Sequence, residues 1–165
     1  MKSTGTLVAA ICFAALGGFF VYQWWFNPTR EVQRRLNDIA AAISIPDNEA
    51  PAVRIARVAQ LRKYLAEDIR VRGGDGSEFA SRDQIVGVVS ALAAPAGGWN
   101  VQFVDVQVRV NHNTDTDADA YLTVEINGRD PRTGQPTADS RDAAVTMKKM
   151  NGEWVVATAE TKSAR

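Results

Sequence analysis

Residues 100–111 have the sequence NVQFVDVQVRVN, and this stretch decides the fold class. Apolar and polar residues alternate along it, which is the period of a β-strand with one face toward a core and the other toward solvent. The residues that this alternation assigns to the core are Val104, Val106, Val108 and Val110. The stretch therefore predicts a long strand that is buried on one side.

The chain after this strand keeps the same period. Residues 119–127 and 139–150 alternate in the same way, and residues 154–161 form a last strand. Asn151 and Gly152 between the last two are the usual signal for a type I′ hairpin turn. The residues of the 119–127 strand predicted to face the core are Leu122, Val124 and Ile126. The C-terminal half is thus predicted to be a four-stranded antiparallel meander.

Between residues 29 and 92 the spacing is mainly helical, apart from a short strand signal at residues 69–72 and a turn at residues 73–76. In the first predicted helix, apolar residues recur on one stripe at Val32, Leu36, Ile39, Ala40 and Ile43. A second helix is expected over 52–66, with Ile55, Val58, Arg62 and Leu65 on a shared face and Ala59, Leu61 and Tyr64 flanking it. A third is expected to start at Ser81, with Gln84 as its capping-box partner and Ile85, Val88, Val89 and Leu92 as its buried stripe. Helices first and strands last predict the α+β class.

Three short segments resemble the nuclear transport factor 2-like (NTF2-like) superfamily, which includes ketosteroid isomerase and the SnoaL-like cyclases. They are residues 65–71 (LAEDIRV), 81–85 (SRDQI) and 150–156 (MNGEWVV). The resemblance covers about residues 29–162. It implies a cone, in which three N-terminal helices pack on a curved, mainly antiparallel sheet, with residues 29–165 as one domain.

Residues 7–26 (LVAAICFAALGGFFVYQWWF) predict a single transmembrane helix ahead of that domain. Twenty uncharged residues span about 30 Å as a helix, the thickness of a hydrocarbon core. Tyr22, Trp24 and Trp25 suit the headgroup layer at one end. We therefore expect residues 1–28 to be a membrane anchor, with a cleaved signal peptide and a buried helix as the alternatives.

The flanking charges give conflicting signals on orientation. Arg30, Arg34 and Arg35 after the span favour a cytoplasmic domain, whereas a very short N-terminus such as residues 1–6 commonly stays in the cytoplasm. The domain after the span contains no cysteine, which is compatible with an oxidising compartment. The expectation is a single-pass protein of the bacterial inner membrane with a periplasmic domain.

Composition excludes several functional classes. Nineteen Lys and Arg balance nineteen Asp and Glu, so a broadly basic nucleic-acid binder is not expected. One cysteine and one histidine exclude a disulfide framework and a cysteine-based zinc site. Asp115, Asp117 and Asp119 have the first spacings of a calcium loop, but Ala120 and Ile126 occupy its glycine and glutamate positions. We expect no metal and no cofactor.

The resemblance implies an enzymatic alternative, whose site would need a carboxylate base, a protonated acid and a tyrosine in an apolar cone. By alignment, the base position falls near Gly73 and the acid position near Thr146, and the first helix carries no aromatic residue. Tyr64 and Asp68 are then the only candidate catalytic residues. The sequence favours a non-catalytic binding or scaffold module; the alternative is an isomerase, cyclase or dehydratase acting on a small apolar substrate.

Two further sets of residues are candidate contact sites. The residues that could line a pocket for a small apolar ligand are Tyr64, Phe79, Trp99, Phe103 and Trp154. The polar face of the sheet could contact an envelope protein or a second copy of the chain through Arg109, Tyr121, Thr123 and Glu125. A basic stretch from Arg54 to Arg72 is expected to be an exposed helix face, with anionic lipid headgroups as its alternative contact.

Overall fold

The computed structural model describes residues 27–91, 97–130 and 132–162. The helices are α1 (Pro28–Ile43), α2 (Pro51–Tyr64) and α3 (Arg82–Ala91). The strands are β1 (Leu65–Arg72), β2 (Glu78–Phe79), β3 (Trp99–Val110), β4 (Asp117–Arg129), β5 (Pro136–Met150) and β6 (Glu153–Thr161). The predicted membrane segment, residues 7–26, lies outside the described residues. Within the described ranges, no helix is long and apolar enough to cross a membrane.

All six strands form one sheet in the order β2-β1-β6-β5-β4-β3. Neighbouring strands are antiparallel except β1 and β6, which run parallel. The three helices cover one face of the sheet, here called the inner face, and the opposite face is called the outer face. The predicted α+β class, with three helices on a mainly antiparallel sheet, is confirmed.

Helix α1 begins where its sequence provides a cap. The side chain of Asn27 accepts a hydrogen bond from the backbone N–H of Thr29 at 3.0 Å, and Pro28 occupies the first helical turn, where its missing N–H costs nothing. The predicted apolar stripe is confirmed, since Val32, Leu36 and Ile39 are all buried. Helix α1 therefore closes the core over the inner face.

Helix α2 presents a different face from the one that we predicted. Ile55 is 71 % exposed, whereas the buried residues of this helix are Arg57, Leu61 and Tyr64. These three residues have the spacing of one helical stripe, so the buried face of α2 is the one that carries Arg57. The basic stretch is correspondingly not one exposed face, because Arg57 lies inside with a bound carboxylate partner.

Helix α3 begins close to the predicted position, but its cap is shifted. The backbone N–H of Gln84 donates to Ser81 Oγ at 3.3 Å, as predicted, while Gln84 Oε1 accepts from Ala80, one residue before the expected partner. Its stripe also differs. Ile85 and Val89 pack against the core as predicted, but Val86 packs there as well, while Val88 is 44 % exposed. Leu92, the last predicted stripe residue, lies outside the described residues.

Strand β3 contains a bulge that the alternating sequence conceals. Asp105 has a φ of 52°, and the pairing with β4 shifts register between Val104 and Gln107. An extra residue reverses which side chains face the core. The inward prediction is confirmed for Val108, which packs against the core, but it is wrong for Val104, which pairs with Thr123 on the outer face.

Candidate functional site

Over the centre of the sheet, the space between the helices and the inner face is filled by the chain's own side chains. Leu36, Leu61, Ile69 and Met147 are each at most 1 % exposed and belong to one contiguous core cluster. Close-packed apolar side chains of this kind exclude water. This part of the inner face thus forms a packed core.

The two candidate catalytic residues have opposite environments. Tyr64 ends α2 and is buried; its hydroxyl accepts a hydrogen bond from Gln60 Nε2 at 3.0 Å, and the guanidinium of Arg35 lies 4.9 Å from its ring centroid. Asp68 is exposed on β1. The chain turns from helix to strand between them, so the four-residue spacing does not place both on one helical face. Neither group lines the groove at β3 or the depressions on the outer face and beside α1 that the described residues form.

A groove of about 840 Å³ opens beside β3, the last strand in the sheet order. Trp99 and Phe103 line one side, while the α1–α2 connection and Arg57 line the other. Of the five aromatic residues that we predicted as pocket-lining, only these two lie on the groove. Trp154 adjoins a separate depression beside α1, Phe79 is half-buried in β2, and Tyr64 is covered by Arg35.

An ion pair forms part of the groove wall. Arg57 Nε lies 2.7 Å from Glu49 Oε1, and Arg54 Nε lies 3.3 Å from Glu49 Oε2. The hydrogen bond from Arg57, together with the charges of both arginines, lowers the pKa of Glu49 although its burial acts in the opposite direction. The sequence analysis did not predict this ion pair. The signal that could have indicated it is the helical spacing of Arg57 with Leu61 and Tyr64, which places all three on one face of α2.

The start of β3 is held by the residues that follow α1. Trp99 and Ile45 exchange two backbone hydrogen bonds of 2.7 and 2.8 Å. Ser44 Oγ accepts from the N–H of Val101 at 2.9 Å and donates to the carbonyl of Ala40 at 2.8 Å, which ties β3 to the last turn of α1. The first edge positions of β3 are therefore occupied within the chain, and they fix the wall of the groove.

Glu31 connects the first turn of α1 to the last hairpin. Its Oε2 accepts from the Trp154 indole and from Lys149 Nζ, each at 3.1 Å. Arg35, one turn further along α1, pairs with Glu153 in the same hairpin. These contacts fix the hairpin against the end of α1 that follows residues 7–26.

The four predicted interface residues all lie on the outer face. Tyr121 is 49 % exposed, and the guanidinium of Arg109 lies 5.9 Å from its ring centroid. Thr123 Oγ1 donates to Asp142 Oδ1 at 3.1 Å. Glu125 follows two residues further along the same face of β4. The structure thus brings these residues into one polar patch around an exposed tyrosine.

The aspartates with calcium-loop spacing lie at the turn between β3 and β4, where we predicted no metal site. Asp117 accepts hydrogen bonds from the hydroxyls of Thr114 and Thr116, at 3.1 and 3.3 Å, and His112 is exposed in the same turn. In the three described ranges, no three carboxylate, histidine or cysteine side chains are grouped so as to hold a metal ion.

No family model matches the sequence, and no curated protein matches it either. Solved structures match the fold. They include the association domain of C. elegans CaMKII, with a TM-score of 0.65 and 10 % identity over 81 % of this chain and 94 % of that one. A putative scytalone dehydratase from Novosphingobium aromaticivorans has a TM-score of 0.67 and 14 % identity, over 82 % of this chain and 83 % of that one. An NTF2-like superfamily protein from Salmonella enterica has a TM-score of 0.62 and 13 % identity, over 84 % of this chain and 92 % of that one. At these identities the likeness shows the NTF2-like fold alone.

Proposed function

We propose that this chain is a non-catalytic binding or scaffold domain, held at the membrane by residues 7–26, whose contact surface is the outer face of the sheet. The observation that carries the proposal is the contrast between the two faces. Apart from the groove at the start of β3, the inner face is buried under helices, while the outer face exposes Tyr121 among charged and hydrogen-bonding groups. Tyrosine and arginine are the residues that most often anchor protein interfaces.

One of the structural neighbours supports a scaffold role. The CaMKII association domain has the same fold, and its name describes assembly. The putative scytalone dehydratase among the neighbours supports the enzymatic alternative to the same limited degree, through fold only. The environments of Tyr64 and Asp68 favour the non-catalytic proposal, since one is buried and hydrogen-bonded and the other faces solvent.

Light scattering on the detergent-solubilised full chain tests the contact surface. Tyr121→Asp places a charge at the centre of the outer face, and we expect it to abolish association while leaving the monomer folded, since Tyr121 is half exposed. Ile55→Asp is the matched control, because Ile55 is exposed on α2, away from the sheet. An unchanged mass for Tyr121→Asp would refute the proposed surface.

The membrane part of the proposal is tested separately. We propose that the protein resides in a bacterial inner membrane with residues 29–165 in the periplasm. The full chain should stay with the membrane after alkaline carbonate extraction, and a reporter fused after Arg165 should be active only in a periplasmic form. Release by carbonate, or activity of a cytoplasmic reporter alone, would contradict the anchor or its orientation respectively.

The groove favours a second candidate, the binding of a small apolar ligand. Trp99 and Phe103 supply its apolar wall, and about 840 Å³ lies within the range of small-molecule sites. Native mass spectrometry of the full chain released from detergent tests this candidate. Extra mass that is lost on denaturation supports a ligand, and loss of that mass in Trp99→Ala places it in the groove. A bare protein mass contradicts ligand binding.

A further inference from the structure

We propose that the groove beside β3 binds an extended segment of a partner protein, which adds to the sheet as a further strand, antiparallel to β3 and opposite Phe103. This inference goes beyond the proposed function, because it uses none of the outer-face residues around Tyr121. It also gives the groove a different occupant from a small apolar ligand, one that is recognised through its backbone.

The groove runs along the edge of β3. Six successive residues of this strand, from Trp99 to Val104, line it. Successive side chains of a strand point to opposite faces, so a pocket on one face would be lined by every second residue only. The groove therefore opens sideways from the strand, where a neighbouring strand would lie.

The chain begins a pairing at this edge and then leaves it. Trp99 exchanges two backbone hydrogen bonds with Ile45, and the N–H of Val101 donates to Ser44 Oγ. The bridge is antiparallel, so the residues that would continue it toward Phe103 precede Ser44. Those residues form the last turn of α1, and a helical backbone cannot continue a strand ladder. The internal pairing thus stops one step before Phe103.

Phe103 is left with an unpaired backbone donor and acceptor. Along an antiparallel ladder, the N–H and C=O groups of every second residue point to the same side. Those of Trp99 and Val101 point away from β4, so those of Phe103 do as well. Among the described strands only β4 lies beside β3, and no described residue bonds to either group of Phe103. A strand edge of this kind is a template for another backbone.

The lining of the groove selects the side chains of the added strand. Ala41 of α1, Val53 of α2 and Phe103 supply apolar surface, and Val53 is 52 % exposed. Asn100 and Gln102 alternate with the aromatic residues of β3, and both are exposed carboxamides. An added strand therefore places an apolar residue beside Phe103 and a polar neighbour beside Gln102.

Charge restricts the segment further. Among the described residues that line the groove, Arg57 is the only cation, and it is paired with Glu49. Asp47 is the remaining carboxylate, and it accepts a hydrogen bond from the N–H of Gly97 at 3.2 Å. This lining disfavours an acidic segment. The bulge at Asp105 ends the regular edge, so the paired stretch is short.

Disulfide trapping tests the added strand. Gln102→Cys is made in the full chain in detergent, in a Cys12→Ser background, and equilibrated in a thiol redox buffer with the peptide acetyl-Thr-Thr-Val-Cys-Thr-amide. With the valine opposite Phe103, the peptide's cysteine lies opposite the substituted Gln102, where facing Cα atoms are about 4.5 Å apart and suit a disulfide. We expect mass spectrometry to show at least about ten times more trapped peptide than for the matched control Gln107→Cys, an exposed amide on the same strand beyond the bulge.

Backbone methylation separates a strand from a side-chain ligand. N-methylation of the peptide's valine removes the donor to the Phe103 carbonyl and should lower trapping about tenfold. N-methylation of the threonine before it is the matched control, because that N–H points away from β3, and trapping should persist. In the protein, Phe103→Pro removes the unpaired N–H, which an edge strand tolerates, whereas Phe103→Val keeps it. Only the proline variant should lose trapping.

Equal trapping for Gln102→Cys and Gln107→Cys overturns the proposal. Equal trapping of the two N-methylated peptides also overturns it, and favours an apolar ligand in the groove instead. The methylation series uses one protein variant, so it decides the question even if Phe103→Pro fails to fold. None of these outcomes bears on the outer face, which light scattering of Tyr121→Asp tests separately.

Discussion

Arg57 binds Glu49 through two nitrogens, with Nε 2.7 Å from Oε1 and Nη2 3.1 Å from Oε2. The third nitrogen, Nη1, donates to the carbonyl of Ala42 at 3.0 Å. One side chain on α2 thereby joins the end of α1 and the connection between the two helices. The Glu49 side chain is inaccessible to solvent, so this pair is set apart from the exposed ion pairs of the molecule.

Arg57→Met should lower the melting temperature by several degrees, because it leaves a buried carboxylate and a helix-end carbonyl without their main partner. Arg54→Met is the matched control. Arg54 makes one contact of 3.3 Å with the same glutamate and is about a third exposed, so its loss should have little effect. Circular dichroism melts of the full chain compare the two; equal shifts would contradict the structural role of Arg57.

The same pair predicts a dependence of stability on pH. Hydrogen bonding to Arg57 lowers the pKa of Glu49 below its ordinary value of 4.5 in the folded state. A carboxyl with a lowered folded pKa stabilises the fold above its unfolded pKa, and that contribution is lost as the pH falls through the folded value. The wild type should therefore lose stability below about pH 4.5 more steeply than Glu49→Gln. Parallel acid titrations for the two proteins would contradict this.

Gly98 and Gly134 provide a matched test of the turn before β3. Both have a φ of 68°, so alanine is equally strained in the backbone at either position. At Gly98, however, a Cβ would overlap the carbonyl oxygen of Ile45 and lie 2.7 Å from the backbone nitrogen of Asp47, whereas at Gly134 it would meet nothing within 4 Å. Gly98→Ala should destabilise clearly more than Gly134→Ala in urea unfolding. Similar costs would show that the Ile45–Trp99 bridge is not closely packed.

Trp154→Phe should cost about 1.5–3 kcal/mol of stability, the usual contribution of a hydrogen bond to a charged group, because it removes the indole donor to Glu31 but keeps an aromatic ring in the core. Trp99→Phe is the control, since the Trp99 indole N–H has no hydrogen bond among the described residues. Urea unfolding compares them. If both substitutions cost the same, the lost volume rather than the hydrogen bond determines the effect.

Much of the fold follows from the periodicity of the sequence. Where the structure departs from the predicted pattern, a local feature is the cause. The spacing of Val32, Leu36 and Ile39 identifies the buried side of α1, and Asn151-Gly152 marks the last hairpin, because each signal depends only on neighbouring residues. The bulge at Asp105 could not be predicted, since the alternation continues through it and only the pairing with β4 reveals the extra residue.

Among the candidate sites, too, one was predicted from the sequence pattern and one was missed. The outer-face patch was predicted because polar residues alternate with buried ones on β4. The burial of Arg57 was missed because its carboxylate partner, Glu49, lies outside the helix, in the α1–α2 connection. The sign of each charge can be read from the sequence, but only the folded structure shows whether an opposite charge lies close to it.

Hydroxyl-radical footprinting of Tyr121 in the full chain tests the central claim most directly, namely that the outer face is covered by a partner. In an isolated chain the side chain is 49 % exposed, and Ile55, at 71 %, is an uncovered reference in the same molecule. The account predicts that oxidation of Tyr121 relative to Ile55 falls as protein concentration rises, and that Arg109→Glu removes this protection. Tyr121 oxidised at the same relative rate at every concentration, in wild type and variant alike, would contradict it.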